Sequence, residues 1–122
     1  MARILLVDDD DLIRETLTKA LTDAGYEIVA ARSGRIGLRH LHDAPFDVLV
    51  TDVLMPDVDG IETIRQARES DPDLHIIAIS GGGVLPKSEY LRMAKKLGAT
   101  HALAKPFHAG ELVALIRTCL GE

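Results

Sequence analysis

FDVLVTDVLMPDVDG, residues 46–60, decides how the rest of the chain reads. Phe46, Val48, Leu49 and Val50 make a short apolar, β-branched run, the pattern of a strand buried on both faces. The run breaks at Asp52. A carboxylate is costly inside an apolar strand, so its expected place is the strand's C-terminal end, facing a solvent crevice. Open parallel α/β sheets bind ligands at that edge. Pro56 stops any continuation of the strand, and Asp59-Gly60 opens the next helix.

Outward from this stretch the same unit repeats. Residues 3–7 (RILLV) read as a second buried strand and end in four aspartates, 8–11. Leu12, Ile13, Leu17, Ala20, Leu21 and Ala24 then recur at helical spacing, with Gly25 as the stop. Residues 26–31 (YEIVAA) read as a strand, and Ser33 caps a helix carrying Ile36, Leu38 and Leu41 that ends before Pro45. Residues 46–51 are the third strand, and Ile61, Ile64 and Ala67 mark a third helix ending near Ser70-Asp71-Pro72. Residues 74–79 (LHIIAI) are the fourth strand, followed by Ser80 and three glycines. Ser88 is the expected cap of a helix carrying Leu91, Ala94 and Leu97, stopped at Gly98. A weaker fifth strand, 100–104, leads into Lys105-Pro106-Phe107 and a last helix over about residues 109–120. Strict βα alternation predicts an α/β fold with parallel strands, right-handed crossovers and helices on both faces. No linker or low-complexity tract interrupts it, so residues 1–122 are expected to form one domain.

Composition narrows the function. A chain of 122 residues buries about two-thirds of its unfolded surface, enough for a core without staples. With Cys119 alone no internal disulfide forms, and a reducing compartment, the cytoplasm, is the simpler expectation. No apolar run reaches the length of a membrane span, and no signal-peptide pattern precedes Arg3. A net charge of −5 argues against backbone-driven nucleic-acid binding. Two Phe, two Tyr and no Trp leave little to stack a base or flavin on.

The informative residues are those at the strand ends. Strand one supplies Asp8 and Asp9, strand three Asp52, strand four Ser80 and strand five Lys105. If strand one lies beside strand three, and strand four beside that, these converge in one crevice. Carboxylates so placed repel by about 4 kcal/mol per pair at 4 Å and an effective dielectric of 20. Either some hold protons or a divalent cation sits among them. Oxygen donors on an open edge suit Mg²⁺ or Mn²⁺, whereas zinc would call for Cys or His. A carboxylate beside such an ion and an ammonium is a nucleophile towards phosphorus. The ion and Lys105 would neutralise the transferring group, and the Ser80 hydroxyl would donate to it. Loops carrying Ser80 and Lys105 would then shift towards a phosphoryl group on Asp52. Taken singly, Asp10 and Asp11 read as helix caps or first-turn acids, Lys105 as a solvated strand end and Ser80 as a loop residue. That ordinary reading needs independent coincidences at one sheet edge. His40, His42, His75 and His108 lack ligand spacing and are read as surface residues.

These residues resemble the receiver domain of two-component response regulators. The likeness rests on LLVDDD (5–10), VTDVLMPDVDG (50–60), Ile79-Ser80 and KPF (105–107), in the right order from Arg3 to about Leu120. It implies a flavodoxin-like parallel five-stranded sheet of order 2-1-3-4-5. It further implies Asp52 as phosphoacceptor, Asp9 as direct Mg²⁺ ligand, Asp8 reaching the metal through water, and the Leu54 backbone carbonyl as a further ligand. Ser80 matches the switch hydroxyl and Lys105 the phosphoryl-binding lysine. The implied donor is a sensor histidine kinase or a histidine phosphotransfer protein, with a downstream protein as target. The receiver would catalyse only its own phosphorylation and dephosphorylation. Departures from the common pattern are Ala102, where many receivers carry a switch aromatic or histidine, and Leu54 and Gly82, where side chains often help position attacking water. An altered phosphoryl lifetime is expected from the last two. The glycine-rich segment 81–88 is expected to report phosphorylation. The competing reading is a Mg²⁺-dependent phosphatase with an aspartyl nucleophile. That would place the nucleophile on the first strand and require a cap that the chain lacks room for.

Overall fold

In the computed structural model, which describes residues 1–53, 60–81 and 86–122, five strands alternate with five helices. They are β1 (Arg3–Val7), α1 (Asp11–Asp23), β2 (Glu27–Ala31), α2 (Gly34–Asp43), β3 (Val48–Asp52), α3 (Gly60–Ser70), β4 (His75–Ser80), α4 (Lys87–Lys96), β5 (His101–Ala104) and α5 (Ala109–Leu120). All neighbouring strands pair in parallel, in the order β2-β1-β3-β4-β5. This is the flavodoxin-like sheet the alternation and the resemblance led us to expect.

Period-two alternation splits the sheet residues between two cores. Leu5, Val7, Leu49, Ile76 and Ala78 face Ile36 and Leu41 of α2, Ile64 and Ala67 of α3, and Ala94 of α4. Ile4, Leu6, Val48, Val50, Ile77 and Ile79 face Leu17 and Leu21 of α1 and Leu112 and Ile116 of α5. All five residues of β3 are buried, as expected of the central strand of a parallel sheet.

Some boundaries move. The third strand begins at Val48 rather than Phe46, because the two preceding residues are taken up by Arg3. The Arg3 guanidinium carbon stands 4.6 Å above the Phe46 ring, and the Asp47 carboxylate accepts from the Arg3 amide at 2.8 Å. The fourth strand extends through Ser80. Ser88 does not cap α4: the helix starts at Lys87, and Pro86, held extended at φ −59° and ψ 152°, takes the N-cap position. Asp10 and Ser33 cap as expected, accepting from the amides of Ile13 and Ile36 at 3.0 and 3.2 Å. No described helix is long and apolar enough to cross a membrane.

Candidate functional site

The register of the sheet brings the strand ends together. Val7 pairs with Thr51, Asp52 with Ile79, and Ser80 with Ala104, so the residues just beyond or at those positions share one edge. Asp8 continues β1, and its amide donates to the Ala31 carbonyl at 3.1 Å. The Lys105 amide donates to the Ser80 carbonyl at 2.8 Å, which ties the start of the β5–α5 connection to the end of β4.

Carboxylate oxygens of Asp8, Asp9 and Asp52 all lie within 4.8 Å of one another. The Lys105 Nζ reaches Asp52 Oδ2 at 2.9 Å and Asp8 Oδ2 at 3.5 Å. The expected convergence of strands one, three and five is therefore present. One expectation changes. Asp52 does not stand out in an open crevice: it is the last residue of β3 and only 6% exposed. The packed sheet edge shields it, and the ammonium of Lys105 offsets the cost of its burial. Asp9 is the exposed member of the cluster.

Among the described residues, three carboxylates of the cluster face the Lys105 ammonium. Burial pushes the Asp8 carboxyl above the usual aspartate range, against the opposing pull of the Asp10 amide and Lys105. Burial also works against the Lys105 ammonium, but Asp52 and Asp8 outweigh it and the lysine titrates above its ordinary value. Ser80 is fully buried, and its Oγ has no hydrogen-bond partner among the described residues. An orphaned buried hydroxyl costs about 1–3 kcal/mol, which suits a group that waits for an incoming acceptor. An all-oxygen donor set with excess negative charge fits a hard divalent cation such as Mg²⁺. Leu54 and Gly82, read above as a ligand carbonyl and a lifetime position, lie outside the described residues, as do residues 83–85 of the glycine-rich segment.

Arg14 escaped the sequence reading, and so did the contact that Gly81 makes. Arg14, on the first turn of α1, donates from Nη1 to the Asp8 carbonyl at 2.9 Å and from Nη2 to Asp11 Oδ1 at 2.5 Å. The Asp11/Arg14 spacing of three was a visible hint of an ion pair, but nothing pointed to the Asp8 carbonyl. Gly81 packs against Lys105, close enough that a Cβ would stand 2.7 Å from Lys105 Cδ. Asp10 points its carboxylate into α1 as the cap and is committed to the helix. Ala102 lies on β5 beside Ala78.

Comparison with known proteins agrees with this geometry. Residues 4–117 match the family model described as response regulator receiver domain. The chain is 43% identical over 116 residues to response regulator receiver protein CpdR of Brucella abortus, covering 93% of this chain and 92% of that protein. It is 34% identical to the probable transcriptional regulatory protein SilR of Salmonella typhimurium, where the match takes in 97% of this chain and half of the relative's length. Among solved structures, chemotaxis protein CheY4 of Vibrio cholerae superposes with a TM-score of 0.86 at 33% identity, over 98% of both chains.

Proposed function

This chain belongs to the response regulator receiver domain family, and from that premise we propose that it accepts a phosphoryl group on Asp52 in a Mg²⁺-dependent reaction. The observation that carries this reading is the 2.9 Å contact of the Lys105 ammonium with the Asp52 carboxylate, set among the Asp8 and Asp9 oxygens. Asp8, Asp9 and Asp52 would hold the cation, together with the Leu54 carbonyl that the family likeness assigns. When bound, it would withdraw charge from phosphoryl oxygens.

The remaining steps belong to the chain's own groups. An Asp52 carboxylate oxygen forms the new O–P bond while the P–N bond of a phosphohistidine donor breaks and the imidazole leaves with the bonding pair. Lys105 stays beside Asp52 and neutralises one of the phosphoryl oxygens. The Ser80 hydroxyl donates to another, gaining an acceptor that it lacks among the described residues. Attack of water on phosphorus later restores the Asp52 carboxylate. The donor is a sensor histidine kinase or histidine phosphotransfer protein, the readout is altered contact with a downstream protein, and the cytoplasm is the compartment in which the chain would act.

The test is incubation of the whole chain with acetyl phosphate and Mg²⁺, read by intact mass. We expect one added phosphoryl group, lost in Asp52→Asn and on chelation of the metal. Unmodified protein under these conditions would overturn the proposal. Steady turnover of a generic phosphomonoester would favour the phosphatase reading instead.

A further inference from the structure

Arg14 touches neither the carboxylate cluster nor Asp52, yet it holds the backbone from which two of the three carboxylates hang. Its Nη1 donates to the Asp8 carbonyl at 2.9 Å, and its Nη2 binds Asp11 Oδ1 at 2.5 Å. Its own amide donates to the Asp10 carbonyl at 2.9 Å, and the Asp10 amide donates to Asp8 Oδ1 at 2.9 Å. The turn of residues 8–11 is thus closed at both ends, and the arginine side chain is only 19% exposed.

The Asp8 carbonyl belongs to the planar peptide unit that joins Asp8 to Asp9. Fixing that carbonyl fixes the plane on one side of Asp9, and the bond from the Asp10 amide to Asp8 Oδ1 holds the other side, so that together they set the direction in which the Asp9 side chain leaves the backbone. No hydrogen bond among the described residues reaches the Asp9 carboxylate, so its place in the cluster depends on the backbone that carries it. The arginine's charge is already paired with Asp11. Its effect on the cluster is therefore one of geometry.

We propose that Arg14 is a positioning residue for the divalent cation: it sets the Asp8–Asp9 peptide so that Asp9 and Asp8 present their oxygens together with Asp52. This rests on the metal-dependent reading above. Outer residues that orient metal ligands are typically worth 10–100-fold in affinity. Arg14→Met, which keeps the stem and removes the donors, should weaken Mg²⁺ binding about tenfold. Arg14→Lys, a single point donor that cannot span both partners, should fall between the two. If Arg14 acted only as a nearby cation, its removal would tighten Mg²⁺ binding.

The experiment measures the Mg²⁺ dissociation constant calorimetrically on the full chain, with the thermal shift at saturating Mg²⁺ as a second readout. Arg68→Met is the control. Arg68 also clamps backbone carbonyls, those of Gly98 at 2.7 and 3.1 Å and Pro72 at 2.8 Å, and none of them belongs to the acidic cluster. It should lower the melting temperature and leave the Mg²⁺ constant unchanged. Weakened binding in Arg14→Met, with Arg14→Lys intermediate, supports the proposal. Equal or tighter binding in either variant overturns it and leaves the phosphoacceptor reading standing. Absence of Mg²⁺ binding by the wild-type chain overturns both. Should Arg14→Met not fold, Arg14→Lys decides by the same criterion.

Discussion

Gly81 and Lys105 are in such close contact that a methyl group on the glycine would lie 2.7 Å from the lysine Cδ and 2.9 Å from its Cβ. The far end of a lysine can swing away, but its Cβ cannot move without its backbone. Gly81→Ala should therefore push the Lys105 stem aside and loosen the ammonium from Asp52. We expect the rate of phosphorylation by acetyl phosphate to fall about tenfold, equivalent to ~1.4 kcal/mol of barrier. The melting temperature should change little, because Gly81 is exposed. An unaltered rate would show that the lysine reaches the phosphoryl group from its displaced position.

Ser80 offers a case where stability and function diverge. Its hydroxyl is buried without a partner among the described residues, so Ser80→Ala removes an unsatisfied group at almost no change in volume. The unphosphorylated variant should gain about 1 kcal/mol in denaturant unfolding. The same change should abolish the phosphorylation-dependent shift in amide exchange near residues 80 and 81. A destabilised variant would mean that the hydroxyl has an acceptor after all.

Asp8 is raised above its ordinary pKa chiefly by burial. Over the interval between the unfolded value near 3.8 and the raised folded value, the native state holds more protons than the unfolded chain. Stability contributed by Asp8 is therefore greatest in acid and declines as pH rises through that interval. Asp8→Asn should flatten this slope. At neutral pH without Mg²⁺ it should raise the melting temperature by about 3–5 °C, the effect of ~1 kcal/mol in a domain of this length. Adding Mg²⁺ should stabilise the wild type and leave the variant nearly unmoved. Scanning calorimetry across pH, with and without the ion, reads all three outcomes.

Gly60 starts α3 directly against the backbone of Asp52. A Cβ there would stand 1.8 Å from the Asp52 carbonyl oxygen and 2.5 Å from the Val53 Cα, both main-chain atoms that no rotamer change can clear. Gly60→Ala should cost about 2 kcal/mol or more in urea unfolding, with β3 forced away from α3. A near-neutral result would show that the N-terminus of α3 tolerates displacement.

How much was legible can be followed along single residues. Val48 to Val50 announced a buried central strand, and Asp10 and Ser33 announced helix starts, because these are short-range matters of pattern and capping. The misplaced cap at Ser88 had the same local basis. A serine competes well for an N-cap only if the chain presents it there, and Pro86, with its fixed φ, already occupies the turn. The start of β3 moved for a different reason, a clamp by Arg3 that lies 43–44 positions away in the chain. Burial of Asp52 was misjudged because how deeply the sheet edge covers it depends on how the elements pack, which the strand pattern does not carry.

Alternating apolar runs, each closed by a polar residue, were enough to specify five βα units, their parallel sense and the strand ends that carry chemistry. That information is local, since hydrophobic period and turn residues act over a few positions of chain. The tertiary structure alone decided the contacts among those ends: the ammonium between Asp8 and Asp52, the guanidinium on the Asp8 carbonyl, the Ser80 hydroxyl with no partner among the described residues and the glycine flat against Lys105. Each depends on placement to within a few tenths of an ångström, and the contacts of Lys105 join segments remote in sequence. Those distances are set by how the helices pack both faces of the sheet, which no single stretch of the chain encodes.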